Sequence, residues 1–162
     1  VLDYTIKENI ILGQHDSSPF SKKGLLVDKE ISSFAVTKEK EFDIRCSGVE
    51  SLASSLSGGN QQKIIIAREL STNPDLIVAM QPTRGLDVGA IEYIHNMLVE
   101  SRNNNKAVLL VSLELDEVMS LSDRILVMNS GKIVGEVTKE NFNKELIGKM
   151  MLGLEVSVWK IN

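Results

Sequence analysis

The run Leu56-Ser57-Gly58-Gly59-Asn60-Gln61-Gln62-Lys63 sets a hydroxyl, paired glycines and side-chain amides just ahead of a segment with helical apolar spacing. A helix start exposes backbone N–H groups, and the helix dipole adds partial positive charge, so such a loop can hold an anion. Glycines let a phosphate approach the backbone closely. Ser57 adds a hydroxyl donor. The same residues have a plainer use, with Ser57 as an N-cap and the glycines as a turn. For Ser-Gly-Gly alone that plainer use prevails. Asp87, before Val88-Gly89-Ala90-Ile91, is a carboxylate at an expected helix start and an equally good N-cap.

These residues need elements to hold them. A helix is expected from about Gly58 to Leu70, with Ile64, Ala67 and Leu70 on one face and Asn73-Pro74-Asp75 as its stop. Leu76 to Met80 and Ala107 to Val111 are short continuous apolar runs, the pattern of buried parallel strands. Asp87 to about Asn104 reads as a helix with Ile91, Ile94 and Leu98 inward, and Leu113 to Leu121 as a short helix. Arg124 to Met128 and Lys132 to Val137 read as a hairpin turning at Ser130-Gly131, and Glu140 to Met151 as a helix. Ahead of all this, Ile6 to Leu12 reads as a short helix ended by Gly13. His15 to Gly24 reads as a loop, and Asp28 to about Phe42 as a helix with Asp28 as its possible cap. Strands alternating with helices argue for an α/β layered domain. Residues 1–71 form a mostly helical part and residues 72–162 a β/α part.

Bulk properties narrow the classes. The 162 residues suit one domain with one core. Net charge is −4, from 18 basic against 22 acidic residues, without a long like-charge block, which argues against nucleic acid as a direct partner. The longest apolar runs are too short to span a bilayer, so direct insertion is not expected. Cys46, the single cysteine, excludes an internal disulfide and fits a reducing compartment. His15 lacks a Cys or His at metal spacing, and His95 falls on the inward stripe of its helix, where a packed histidine is expected. Arg84 is either a solvated loop arginine or a contact to a partner domain. Asp123-Arg124 suggests an ion pair or strand-end cap. Val156, Val158 and Trp159 form either a short docking strand or a loose tail.

Taken together, Leu56 to Lys63 resembles the signature motif of ABC ATPases. Gln81-Pro82-Thr83-Arg84-Gly85-Leu86-Asp87-Val88-Gly89-Ala90 resembles the segment joining the Walker B strand to the D-loop. Leu121-Ser122-Asp123-Arg124-Ile125-Leu126-Val127-Met128, followed by Gly131-Lys132-Ile133, resembles the strands after the switch region. Thr5 to Gly13 resembles the helical-subdomain segment after the Q-loop. Several motifs in order and at the right spacing cover most of the chain. The Asn-Gln-Gln form of the signature is similar to that of the second nucleotide-binding domain in importers for simple sugars and nucleosides. The resemblance implies a P-loop-type α/β fold, a parallel sheet with helices plus a small helical subdomain. Nothing here matches G-x-x-x-x-G-K-[ST], so the chain reads as a truncated domain without its Walker A and Q-loop portion.

Asn60 stands where many ABC ATPases have Gln, and either amide can donate and accept; the departures that lose polar chemistry concern one half-site. Where the pattern has Asp then Glu before Pro-Thr, this chain has Met80 and Gln81. The Asp would hold Mg²⁺ through its water shell, and a thioether is a poor ligand for that ion. The Glu would act as general base, and a glutamine amide takes no useful proton at neutral pH. Leu113 stands where the switch histidine would be and cannot hydrogen-bond a γ-phosphate. Singly, Met80 is strand filler and Leu113 is packing; together they describe a degenerate site with no intact catalytic residue and no metal ligand.

The resemblance therefore implies that Ser57, Gly58, Gly59, Asn60 and Asp87 contact a nucleotide held by a consensus domain, expected as an N-terminal domain of the same full-length chain. ATP and Mg²⁺ are the cofactors of the intact transporter, with none expected tightly bound to residues 1–162. Membrane permease subunits are the other partners. The place is cytoplasmic, peripheral on the inner face of the cell membrane. The implied task is energising import of a simple sugar or nucleoside, by a transport ATPase of which this part alone is inactive. A soluble non-transport ABC ATPase and a non-hydrolysing interaction module are the alternatives.

Overall fold

The computed structural model describes residues 1–154. Contacts divide the chain into two units, Val1–Ile77 with Pro82–Ala107, and Val78–Gln81 with Val108 onward.

The first unit is helical. Helix α1 (Ile6–Ile11) begins in a reciprocal capping box. The Thr5 hydroxyl accepts from the Glu8 N–H at 3.3 Å, and the Glu8 carboxylate accepts from the Thr5 N–H at 2.7 Å. Gly13, at φ 86°, ends that segment as expected. The stretch read as a loop contains a small antiparallel ladder of β1 (Ser21–Lys22) and β2 (Leu25–Leu26). Lys23 and Gly24 turn it with positive φ, which the alternation rule could not detect over strands this short. Helix α2 (Asp28–Glu41) starts without a side-chain cap at Val27. Asp28 does not cap it, contrary to expectation. Its carboxylate accepts from Lys7 Nζ at 2.6 Å, and the same ammonium reaches Glu50 at 2.7 Å. Those two hydrogen bonds, first Asp28 and then Glu50, raise the Lys7 pKa.

Helix α3 (Gly58–Ser71) and helix α4 (Val88–Asn103) complete this unit. Ile64 and Ala67 of α3 are buried as their spacing requires, beside Ile6, Ile10 and Phe42. Each large side chain so buried contributes roughly 1.5–3 kcal/mol. Asn73, at φ 50°, turns the chain out of α3 before Pro74. In α4 it is Ala90 and Ile94 that are buried, with Ile91 and Leu98 half-buried.

Strands β3 (Leu76–Met80) and β4 (Ala107–Val111) pair in parallel: the Ala107 N–H donates to the Asp75 carbonyl at 2.9 Å and the Gln81 N–H to the Val111 carbonyl at 2.8 Å. The expectation of strands buried on both faces fails. Val78, Met80, Leu109 and Val111 are exposed, because among the described residues only one face of the pair is covered.

The rest of the second unit is helix α5 (Leu115–Leu121), the antiparallel hairpin β5 (Arg124–Asn129) and β6 (Lys132–Thr138), and helix α6 (Lys144–Met151). The hairpin turns at Ser130 and Gly131, φ 48° and 77°, a two-residue turn whose twist matches its strands. Ile147 and Met150 of α6 bury against Ile125, Val127 and Val137. Helix α6 starts later than expected. Lys139–Asn141 forms a separate 3-10 turn, and the Asn143 side chain caps the helix by accepting from the Leu146 N–H at 2.9 Å. No helix among the described residues is long and apolar enough to cross a membrane.

Candidate functional site

The start of α3 is built as a helix cap that leaves its donors outward. Ser57 is extended, φ −62° and ψ 155°, and its carbonyl accepts the first helical bond from the Gln61 N–H at 2.9 Å. The N–H groups of Gly58 and Gly59 precede that bond and have no acceptor within the helix, as at any helix start. No acidic residue stands in the first turn of α3. Ser57 and Gly58 are exposed, Gly59 and Asn60 half-buried. The terminal phosphates of a nucleotide fit this donor set of backbone N–H groups and a hydroxyl, whose own helix turn carries no carboxylate.

Asp87 is the N-cap of α4 and is itself exposed; its Oδ1 accepts from the Ala90 N–H at 2.9 Å. The two helix starts meet. A Cβ built on Gly59 would lie 3.0 Å from the Ala90 Cβ and 3.8 Å from Asp87 Oδ2, and one on Gly58 would lie 3.6 Å from the Leu86 side chain. The absence of a Cβ at Gly59 is therefore needed for helix packing as well as for ligand approach, a demand that the sequence alone does not display. Pro82 and Thr83 are buried, whereas Arg84 is exposed.

Asn60 has partners that local spacing does not reveal. Its Oδ1 accepts from the Arg45 N–H at 2.8 Å, and its Nδ2 donates to Ser57 Oγ at 3.1 Å. One turn on, Lys63 Nζ donates to the Asp43 carbonyl at 2.7 Å and to its carboxylate at 2.8 Å. That hydrogen bond holds the Asp43 carboxyl below its ordinary range. The same ammonium sits 4.4 Å from the centre of the Tyr93 ring of α4. Burial, and then the Asp43, Glu41 and Glu100 carboxylates, push the Tyr93 hydroxyl up to about 12. Contacts spanning fifteen or more residues carry no periodic signal, which is why sequence reasoning missed Arg45, Asp43 and Tyr93.

Met80, Gln81 and Leu113 belong to the second unit. Met80 is 71% exposed and Leu113 73%. Gln81 adopts φ 49° at the end of β3, a conformation that costs a non-glycine residue roughly 1–3 kcal/mol. Ser112 Oγ accepts from the Glu114 N–H at 3.0 Å, a tight turn that carries Leu113 at its bend. A thioether and an amide at the end of β3 do not fit Mg²⁺, which takes oxygen ligands with charge. Among the described residues no cluster of three or more His, Cys, Asp or Glu side chains could hold a metal ion.

The remaining residues singled out have structural surroundings. His15 is exposed and His95 half-buried in α4. Cys46 is half-buried, and burial is the main cause that pushes its thiol up. Arg124 pairs with Glu136 across the hairpin at 3.0 Å. Val156, Val158 and Trp159 lie outside the described residues.

No protein-family model matches the chain. It is 52% identical over 153 residues to the nucleoside import ATP-binding protein NupA of Lactococcus lactis subsp. cremoris, covering 94% of this chain and 30% of that protein. It is 48% identical over 153 residues to the guanosine import ATP-binding protein NupO of Bacillus subtilis, with the same shares of 94% and 30%. The glucose import ATP-binding protein TsgD13 of Haloferax volcanii is 42% identical over 155 residues, 93% of this chain and 28% of that protein. The chain thus spans less than a third of the length of these curated relatives. Among solved structures, a dimeric ATP-binding cassette in a post-hydrolysis state, bound to ADP and Pi, matches with TM-score 0.69 and 26% identity, over 88% of this chain and 60% of that one. An ATP-binding cassette of an ABC transporter matches with TM-score 0.72 and 26% identity, over 93% of this chain and 62% of that one. The capped glycine start of α3, its contact with the Asp87 turn and these relatives lead to one assignment: the chain belongs to the ABC ATPase family, with the import ATP-binding proteins for nucleosides and sugars as its relatives.

Proposed function

We propose that this chain is part of the second, degenerate nucleotide-binding domain of an ABC importer for simple sugars or nucleosides, and that it lends its signature loop to the ATP site of a partner domain. In this reading residues 1–71 are mostly helical subdomain and residues 72–162 the β/α part of the cassette. The uncovered apolar face of β3 and β4 supports the view that more of a cassette packs there. The import function of the relatives, 52% and 48% identical, supports a nucleoside as the class of cargo.

The observation that carries the proposal is a contrast. The start of α3 keeps a capped, carboxylate-free first turn against Asp87, while Met80, Gln81 and Leu113 offer neither a metal ligand nor a proton acceptor. When bound with Mg²⁺ in the partner's phosphate loop, ATP supplies the transferable γ-phosphate and the binding energy that closes the two domains. Ser57 donates its hydroxyl to the phosphate tail. Gly58 and Gly59 add backbone N–H groups, and Asp87 holds the adjoining turn. Gln81 can orient a water without taking its proton. Domain closure and reopening drive the membrane permease by coupled motion at the cytoplasmic face.

The test is nucleotide-dependent pairing. The protein that carries this chain should associate with a consensus cassette in the presence of ATP and separate without it, and Ser57→Trp should abolish the ATP effect. Pairing that ignores ATP would instead favour an interaction module without nucleotide chemistry.

A further inference from the structure

We infer that Asn60 is a positioning residue that aims the Ser57 hydroxyl, using the backbone N–H of Arg45 as its reference. This rests on the reading of Ser57 as a nucleotide contact.

The orientation of the Asn60 amide is dictated by its partners. The Arg45 N–H can only donate, so the Asn60 atom 2.8 Å away is its carbonyl oxygen. That leaves the amide nitrogen facing Ser57 Oγ at 3.1 Å, as donor. The Asn60 backbone N–H approaches the same oxygen at 3.5 Å. Ser57 Oγ thus accepts from the Asn60 amide and, at longer range, from the Asn60 backbone N–H, both within its own turn, and its proton is left to donate outward. A serine capping a helix without such a side-chain donor has a hydroxyl free to rotate. Here rotation towards the helix would set the Ser57 hydroxyl proton against the Nδ2 hydrogens.

The reference itself is anchored. Ile44, buried to 4% exposure, donates its N–H to the Glu39 carbonyl at 2.9 Å and so closes the end of α2. Lys63 grips Asp43 through carbonyl and carboxylate one turn along α3 from Asn60. Residues 43–45 therefore form a fixed post beside the first turn of α3, and the Asn60 side chain measures the gap between that post and Ser57. Asparagine fits this gap. Glutamine, longer by one methylene, has to move either its oxygen from Arg45 or its nitrogen from Ser57.

Two measurements test the assignment. The first needs no nucleotide: amide hydrogen exchange at Arg45 in the full-length protein should be about tenfold slower than in Asn60→Ala, the protection expected of one hydrogen bond. Equal exchange in the two proteins would overturn the inference. The second is a double-mutant cycle on ATP affinity and ATPase turnover in the assembled transporter, with Ser57→Ala and Asn60→Ala. Asn60→Ala should reduce turnover about tenfold when Ser57 is present and by less than about twofold when it is absent. Additive losses would make Asn60 an independent contact and overturn the positioning role. No effect of Ser57→Ala would instead remove the underlying reading. Should Asn60→Ala not fold, as judged by its melting curve, Asn60→Gln goes through the same cycle with the same expectations.

Discussion

A Cβ on Gly59 would stand 3.0 Å from the Ala90 Cβ, so the first turns of α3 and α4 touch with no room for a side chain between them. The contact binds the signature turn to the turn that Asp87 caps. It also gives Gly59 a packing role independent of any ligand. Gly59→Val should lower stability by about 1–3 kcal/mol through overpacking, measured by urea unfolding. Stability equal to that of the parent would show that the two turns separate easily.

Asp87 carries two tasks that one substitution can separate. Asp87→Ala should cost about 1 kcal/mol by removing the cap on Ala90 N–H. Asp87→Asn keeps an acceptor oxygen there and should leave the melting temperature nearly unchanged. If Asp87→Asn still depresses ATPase activity of the assembled protein, the carboxylate acts beyond its cap. Parallel losses of stability and activity in both variants would reduce Asp87 to a cap.

Acid should loosen the helical unit through two named carboxylates. Glu8 is held below its ordinary value of 4.5 chiefly by the Thr5 backbone N–H, and Asp43 below 3.8 by the hydrogen bond from Lys63. Both folded values lie under the unfolded ones. Their stabilisation is therefore full above the unfolded values and is lost as pH falls through the folded ones. Glu8→Gln should flatten the decline of stability below about pH 4.5, as followed by thermal melts across pH. An unaltered slope would assign the acid sensitivity elsewhere.

In the second unit, Gly135 of β6 lies flush against Met150, whose sulfur would be 2.6 Å from an added Cβ. Met150 is buried to 2% exposure and has little space to retreat. Gly135→Ala should destabilise this unit by about 1–3 kcal/mol. Gly148, with open space around its Cβ position, should tolerate alanine, and the pair of melting curves checks the contrast.

The helices and hairpin were readable because their signals are local. Ile64 and Ala67 repeat on a helical face, Asp87 precedes an apolar period, and Ser130-Gly131 is turn chemistry between two alternating runs. Asp28 misled because α2 begins one residue early for it: Val27 holds the cap position, Asp28 is the first helical residue, and its carboxylate pairs with Lys7 instead. Val78 and Met80 misled because an apolar run states what a strand needs covered, not what covers it. At the candidate site, Ser57 and Asp87 were legible from cap spacing. The holders of Asn60 and Lys63, fifteen and twenty residues away, were not.

Turnover in the assembled transporter tests the division of labour most directly. ATPase activity would be compared between Ser57→Trp and the triple variant Met80→Ala, Gln81→Ala, Leu113→Ala. If the signature loop serves a working site elsewhere, Ser57→Trp falls by about a hundredfold or more while the triple variant keeps at least about half its rate. A triple variant without activity, beside a Ser57→Trp protein that still turns over, would contradict the account.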